Sequence, residues 1–195
     1  TDASKAGQGV SIRLQPWESD SPYARRLRDA APEDVYAFYL DERDSHAGST
    51  AFYLDVGDIL LRKGRRAEAL RVLSNLAEME LENRHILRVL GYRLMQAKDW
   101  NRAAEMFREV LRLAEEEPQS HRDLGLALAA AGERQEAIER LYEVIVRPWD
   151  GRFSEVDAVV LNELNAIVAT SPKPLNTDFI DARLLKNMPL DLRAV

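Results

Sequence analysis

The chain has 195 residues, of which 46% are hydrophobic and 31% charged, enough for a buried core under a solvated surface. Its net charge of −6 opposes a nucleic-acid partner, which wants a basic face to displace counterions. No apolar run reaches the roughly 18 residues of a membrane-spanning helix. The absence of cysteine removes disulfides, thiolate metal ligands and cysteine nucleophiles.

Residues 1–21 read as a linker or extended segment. "TDASKAGQGV" is small and polar, and "VSIRLQPW" alternates apolar and polar residues as a short strand would. The "GQG" at Gly7 lacks the third glycine, the preceding strand and the following helix of a phosphate loop. Residues 22–49 read as a helical pair. Pro22 and Pro32 each open a helix at its first turn, where a missing N–H costs nothing. Val35, Phe38, Tyr39 and Glu42 recur at helical spacing, and their apolar members need a neighbouring surface.

Three stretches then say nearly the same thing. "VGDILLRKGRRAEALRVL" begins at Val56, "LGYRLMQAKDWNRAAEMF" at Leu90 and "LGLALAAAGERQEAIERL" at Leu124, each 34 residues after the last. The units are set at 50–83, 84–117 and 118–151. Gly57, Gly91 and Gly125 hold one register position, and Ala69, Ala103 and Ala137 another. Leu73, Phe107 and Leu141 follow four residues after each alanine. A turn signal interrupts each unit, at Gly64, at Lys98–Trp100 and at Gly132. Each unit is therefore a helix, a turn and a second helix. Small residues let the two axes approach to about 8–10 Å, and the large residue one turn on fills the adjoining gap. Glycine inside a helix costs about 1 kcal/mol against alanine, so its exact recurrence has a packing reason.

After "RPWDGRF", which reads as a turn, "SEVDAVVLNELNAIVAT" reads as one more helix within 152–170. Ser154 and Asp157 resemble a capping box there. Such a helix covers the apolar face that a last repeat leaves open. Residues 171–195 hold three prolines and read as an extended tail leading to a further domain. The opening Thr1 and the apolar ending read as those of a fragment of a longer chain.

The 34-residue register resembles the tetratricopeptide repeat. The fourth position, tryptophan-like in that family, is Tyr53, Leu87 and His121 here, and the late proline is displaced, with Pro148 close to its place in the third unit. The resemblance implies an all-α fold: a right-handed superhelix of helix-turn-helix repeats with a C-terminal capping helix. The segments "VLSNLAEMELEN", "EEEPQSHRDLGLALA", "RPWDGRF" and "LLKNMPLDLR" together resemble the central region of bacterial proteins that join a vault/inter-alpha-trypsin domain to a C-terminal β-rich domain. That second resemblance implies a periplasmic or envelope-associated protein and a partner among bacterial alpha-2-macroglobulin complexes.

In tetratricopeptide arrays the first helix of each unit lines a concave groove. The positions facing it are Ala51, Leu54, Asp58, Leu61 and Arg62 in the first unit. They are His85, Arg88, Tyr92, Met95 and Gln96 in the second, and Gln119, Arg122, Leu126, Ala129 and Ala130 in the third. The expected partner-binding residues are Arg62, His85, Arg88, Tyr92, Met95, Gln96, Gln119 and Arg122. Two guanidinium forks at equivalent positions, Arg88 and Arg122, suit carboxylates, and Tyr92 with Met95 adds an adaptable apolar floor. The expected partner is a protein or peptide with acidic and apolar groups. The bland alternative is that both arginines pair with local acids such as Asp58 and Asp123. Leu54 and Asp58 stand where a chaperone-carboxylate clamp needs Lys and Asn, so that clamp is rejected. Glu82 and His85 span a repeat junction and do not share a helix face, and no nucleophile–base pair stands at catalytic spacing. The reading is a non-catalytic interaction module with no cofactor and no metal. The alternative is a rigid spacer whose groove is filled by its own flanking segments.

Overall fold

The structure is a computed structural model and describes residues 19–79, 82–153 and 156–186. Most of the expected linker, the "VSIRLQPW" segment, the capping box at Ser154 and the end of the tail lie outside the described residues.

Among the described residues every regular element is helical. A short pair, α1 (Pro22–Asp29) and α2 (Val35–Arg43), precedes three helical hairpins. These are α3 (Thr50–Arg62) with α4 (Arg66–Glu78), α5 (Arg84–Gln96) with α6 (Trp100–Leu113), and α7 (Pro118–Ala131) with α8 (Arg134–Val146). The ninth helix, α9 (Val156–Ala169), packs against α8. The hairpins stack in chain order into a right-handed superhelix, with α3, α5 and α7 as successive first helices.

Local chemistry explains the ends of these helices. Pro22 and Pro118 occupy first-turn positions. The Ser49 hydroxyl accepts from the Phe52 N–H at 3.2 Å, and the Asn83 side chain accepts from the His85 N–H at 3.0 Å, each satisfying an amide the helix leaves open. Pro32 to Asp34 form a turn, and α2 starts three residues later than the proline rule predicts. Within each hairpin the chain reverses through a left-handed residue: Gly64 (φ 75°), Lys98 (φ 58°) and Gly132 (φ 96°).

The repeated glycines have a steric cause. A Cβ on Gly57 would lie 2.6 Å from Leu73 Cδ2, and one on Gly91 would lie 2.6 Å from Phe107 Cε1. One on Gly125 would lie 2.9 Å from Leu141. In each hairpin the large side chain of the second helix rests on the bare backbone of the first. The partner alanines Ala69, Ala103 and Ala137 are fully buried at the same crossings.

A second apolar cluster closes the C-terminal end. Ile138, Leu141 and Val144 of α8 meet Val160, Leu164 and Ile167 of α9, and Ile180 of the tail joins them. The tail is fastened by polar bonds as well. Asn176 N–H donates to Gln135 at 2.9 Å, and Gln135 donates back to the Asn176 carbonyl at 3.2 Å. The buried Asn165 amide donates to the Leu184 carbonyl at 3.0 Å, and Phe179 meets Tyr142 edge-on. Residues 171–186 thus fold back over α8 and α9, where the second helix of a fourth unit would stack.

Candidate functional site

Polar rungs tie the successive inner helices together. From α1 to α3, the Tyr23 hydroxyl donates to Asp55 at 2.7 Å. From α3 to α5, Asp58 pairs with Arg93. From α5 to α7 the link is a network around Asp123, whose side chain is almost fully buried. Its Oδ1 accepts from the Tyr92 hydroxyl at 2.9 Å and from Gln119 at 2.6 Å, and Oδ2 lies 3.3 Å from Arg88 Nε. Arg88 Nη2 also donates to Glu117 at 2.8 Å and to Ser120 Oγ at 2.9 Å. From α7 to α9, Arg122 grips Glu163 with both faces of its fork, Nε at 2.8 Å.

The electrostatics follow from burial. Desolvation pushes the Asp123 carboxyl above the usual carboxylate range, although bonds from Tyr92 and Gln119 and the charge of Arg88 pull the other way. Burial and the neighbouring Asp123 push the Tyr92 phenol up to about 12. At Glu117 burial opposes ionisation, but the bond from Arg88 and the charges of Arg88 and Arg84 outweigh it and hold the carboxyl low. A buried charge of this kind is tolerated only while its partners remain.

Below these rungs, the first unit opens. A concave cavity of about 260 Å³ lies between α1, α3 and α5. Ala24, Ala51, Leu54 and Val89 form its apolar lining, and Arg28, Arg62, Arg93, Asp55 and Asp58 its charged wall. Burial raises the Asp58 carboxyl, with Arg93 and Arg62 opposing that shift.

The architecture is a 34-residue helical hairpin, repeated in register, with small-residue crossings and a concave inner face. Residues 88–152 match the tetratricopeptide repeat family model. This stretch carries tetratricopeptide repeats. Solved structures share the fold at low identity. The crystal structure of MamA is 12% identical, with a TM-score of 0.54, covering 77% of this chain and 85% of that one. YrrB, described as a TPR protein with an unusual peptide-binding site, is 20% identical with a TM-score of 0.51, covering 76% of this chain and 75% of that one. MamA from Desulfovibrio magneticus RS-1 is 14% identical with a TM-score of 0.51, covering 77% and 86%. No curated protein matches the sequence.

On this helical scaffold the expected site residues separate into groups. Arg88, Tyr92 and Gln119 converge on Asp123, and Arg122 extends from the same helix to Glu163. Both arginine forks are therefore engaged by the protein's own carboxylates. Arg62 lines the concave cavity. Met95 is half-buried against the main core, and Gln96 is exposed at the end of α5. His85 is exposed beside Glu82 and Leu113 at a wide depression between the start of α5 and the end of α6. Sequence reasoning passed over Val89, Arg93 and Glu163. Val89 and Arg93 fall outside the usual groove positions, and Glu163 lies beyond the repeat register altogether. Among the described residues, no three potential metal ligands cluster, and no helix is long and apolar enough to cross a membrane.

Proposed function

We propose that the chain is a non-catalytic protein-interaction module that holds a segment of a partner protein against its concave face. The observation that carries this reading is the cavity between α1, α3 and α5, with an apolar lining inside a wall of three arginines and two aspartates. An apolar pocket with a few convergent polar groups is the usual form of a recognition site. The excess of guanidinium over carboxylate in that wall favours a partner with acidic and apolar groups. The tetratricopeptide match supports an interaction role at the level of the family. In this reading Arg62, Leu54, Val89 and Tyr92 meet the partner, with His85, Met95 and Gln96 beyond them. Arg88, Gln119 and Arg122 act as struts that hold the inner helices in place.

The wider context rests on the sequence resemblance to the central region of bacterial vault/inter-alpha-trypsin proteins. It supports a place in a larger exported protein, in the periplasm or envelope, working with a bacterial alpha-2-macroglobulin complex.

A test must avoid the struts. Arg88→Glu would set a new carboxylate against Asp123 and Glu117 and would destabilise the fold whatever the groove binds. Ala51→Glu with Val89→Glu alters the cavity at two exposed lining positions. Affinity capture from an envelope extract should retain an alpha-2-macroglobulin-containing complex on the wild type and lose it on the double variant at equal melting temperature. Equal retention by both would contradict the concave site.

A second reading has its own observation. The tail buries Ile180 and bonds to α8 and α9, so one flanking segment is already used in cis. That supports a rigid spacer, for which no protein would be retained by either form.

A further inference from the structure

The arginines of the inner helices are not equally engaged. Arg88 donates to Glu117 and Ser120 and lies against Asp123. Arg122 grips Glu163 with both faces of its fork. Arg93 is different. Among the described residues it pairs with Asp58 alone, and its buried Nε has no aligned acceptor. A guanidinium carries five N–H donors and binds a carboxylate best through two parallel bonds. Arg93 therefore keeps most of its donor capacity, and it stands in the wall of the concave cavity.

That wall is short of negative charge. Arg28, Arg62 and Arg93 stand against Asp55 and Asp58, and Asp55 already accepts from the Tyr23 hydroxyl at 2.7 Å. One incoming carboxylate brings the wall to balance. The apolar lining lies at a fixed offset from it. Leu54 precedes Asp58 by one turn of α3, and Val89 precedes Arg93 by one turn of α5. One turn is about 6 Å, close to the spacing of alternate side chains on one face of an extended chain, about 7 Å.

We propose that Arg93 is the anchor of the concave site: it takes the side-chain carboxylate of an aspartate or glutamate in an extended partner segment, and an apolar side chain two residues away seats on Leu54 and Val89. Asp58 is the built-in competitor, released from Arg93 as the partner docks. The proposal rests on the concave-site reading and names the chemistry that the site selects. Displacing an ion pair of this partial exposure costs the partner up to about fivefold in affinity.

The probe is an array of short synthetic peptides, each with one glutamate and one leucine at varied separation. They are acetylated and amidated, so that the glutamate supplies the only carboxylate. The wild-type chain should bind best the peptides whose glutamate lies two residues from the leucine. Arg93→Gln should weaken that binding about tenfold. Asp58→Asn keeps the side-chain shape and removes the competing charge, so it should strengthen binding about fivefold, a gain that a damaged fold does not produce. Peptides with glutamine in place of glutamate should lose the preference. Binding that Ala51→Glu with Val89→Glu removes, but that ignores the glutamate, Arg93 and Asp58, would overturn the anchor and leave the concave site standing. Preference for a free C-terminal carboxylate over the side chain, or no binding to either the wild type or Asp58→Asn, would overturn the anchor too, and the capture experiment judges the concave site separately.

Discussion

Gly91 shows how one residue sets the spacing of a hairpin. Replacing it with alanine would gain about 1 kcal/mol of helix propensity, yet the new Cβ would lie 2.6 Å from the Phe107 ring. Overpacking of that kind costs about 1–3 kcal/mol, and the buried ring has little room to retreat. Gly91→Ala should therefore destabilise by up to about 2 kcal/mol, a fall of up to roughly 8 °C in melting temperature. Adding Phe107→Leu should recover part of the loss, and a neutral Gly91→Ala would show that the crossing is looser than its geometry. Lys98 carries the opposite kind of misfit. It holds φ 58° where the other two hairpins use Gly64 and Gly132, and a left-handed backbone costs a side-chain-bearing residue about 1–2 kcal/mol. Lys98→Gly should stabilise the chain by about 0.5–1 kcal/mol after the added unfolded-state entropy is counted, read as a shift in denaturation midpoint at unchanged slope.

At the scale of elements, α7 is held from several sides by buried polar groups, and one of them makes its stability sensitive to pH. His121 packs edge-on against Trp149 and its Nε2 lies 3.0 Å from the Glu115 carbonyl. Burial lowers its pKa, and the charges of Arg147 and Arg140 lower it further. A histidine whose folded pKa is depressed leaves the unfolded state binding more protons, so stability is full above the unfolded value and is lost as pH falls through it, near 6.5. Melting temperature should therefore drop on acidification from pH 7 toward 5.5. His121→Leu, which matches Leu87 at the same repeat position, should flatten that slope. Asp123 has the opposite sign, since its raised folded pKa favours stability at low pH and loses it as pH rises through that value. The difference between wild type and His121→Leu isolates the histidine, and identical slopes would contradict its role.

At the scale of the whole molecule, the superhelix follows from a pattern repeated along the chain. The positions of Gly57, Gly91 and Gly125, and of the large residues that rest on them, are evident from spacing alone because a helical hairpin has a fixed register. The third dimension is less evident. Arg88 and Arg122 are visible as neighbours in a groove. That Asp123 is buried between α5 and α7 depends on the cover supplied by Tyr92 and Gln119, and that Glu163 reaches Arg122 depends on how α9 docks. The proposed partner site is the concave cavity between α1, α3 and α5. The most direct measurement is a photo-crosslinking side chain at Ala51, which lines the cavity, compared with the same group at Glu139, exposed on α8. The Ala51 probe should couple to a segment of a partner protein in the extract, Val89→Glu should abolish the adduct, and the Glu139 probe should give none. Equal labelling from both positions, or an Ala51 adduct made only within the chain, would contradict a concave binding site.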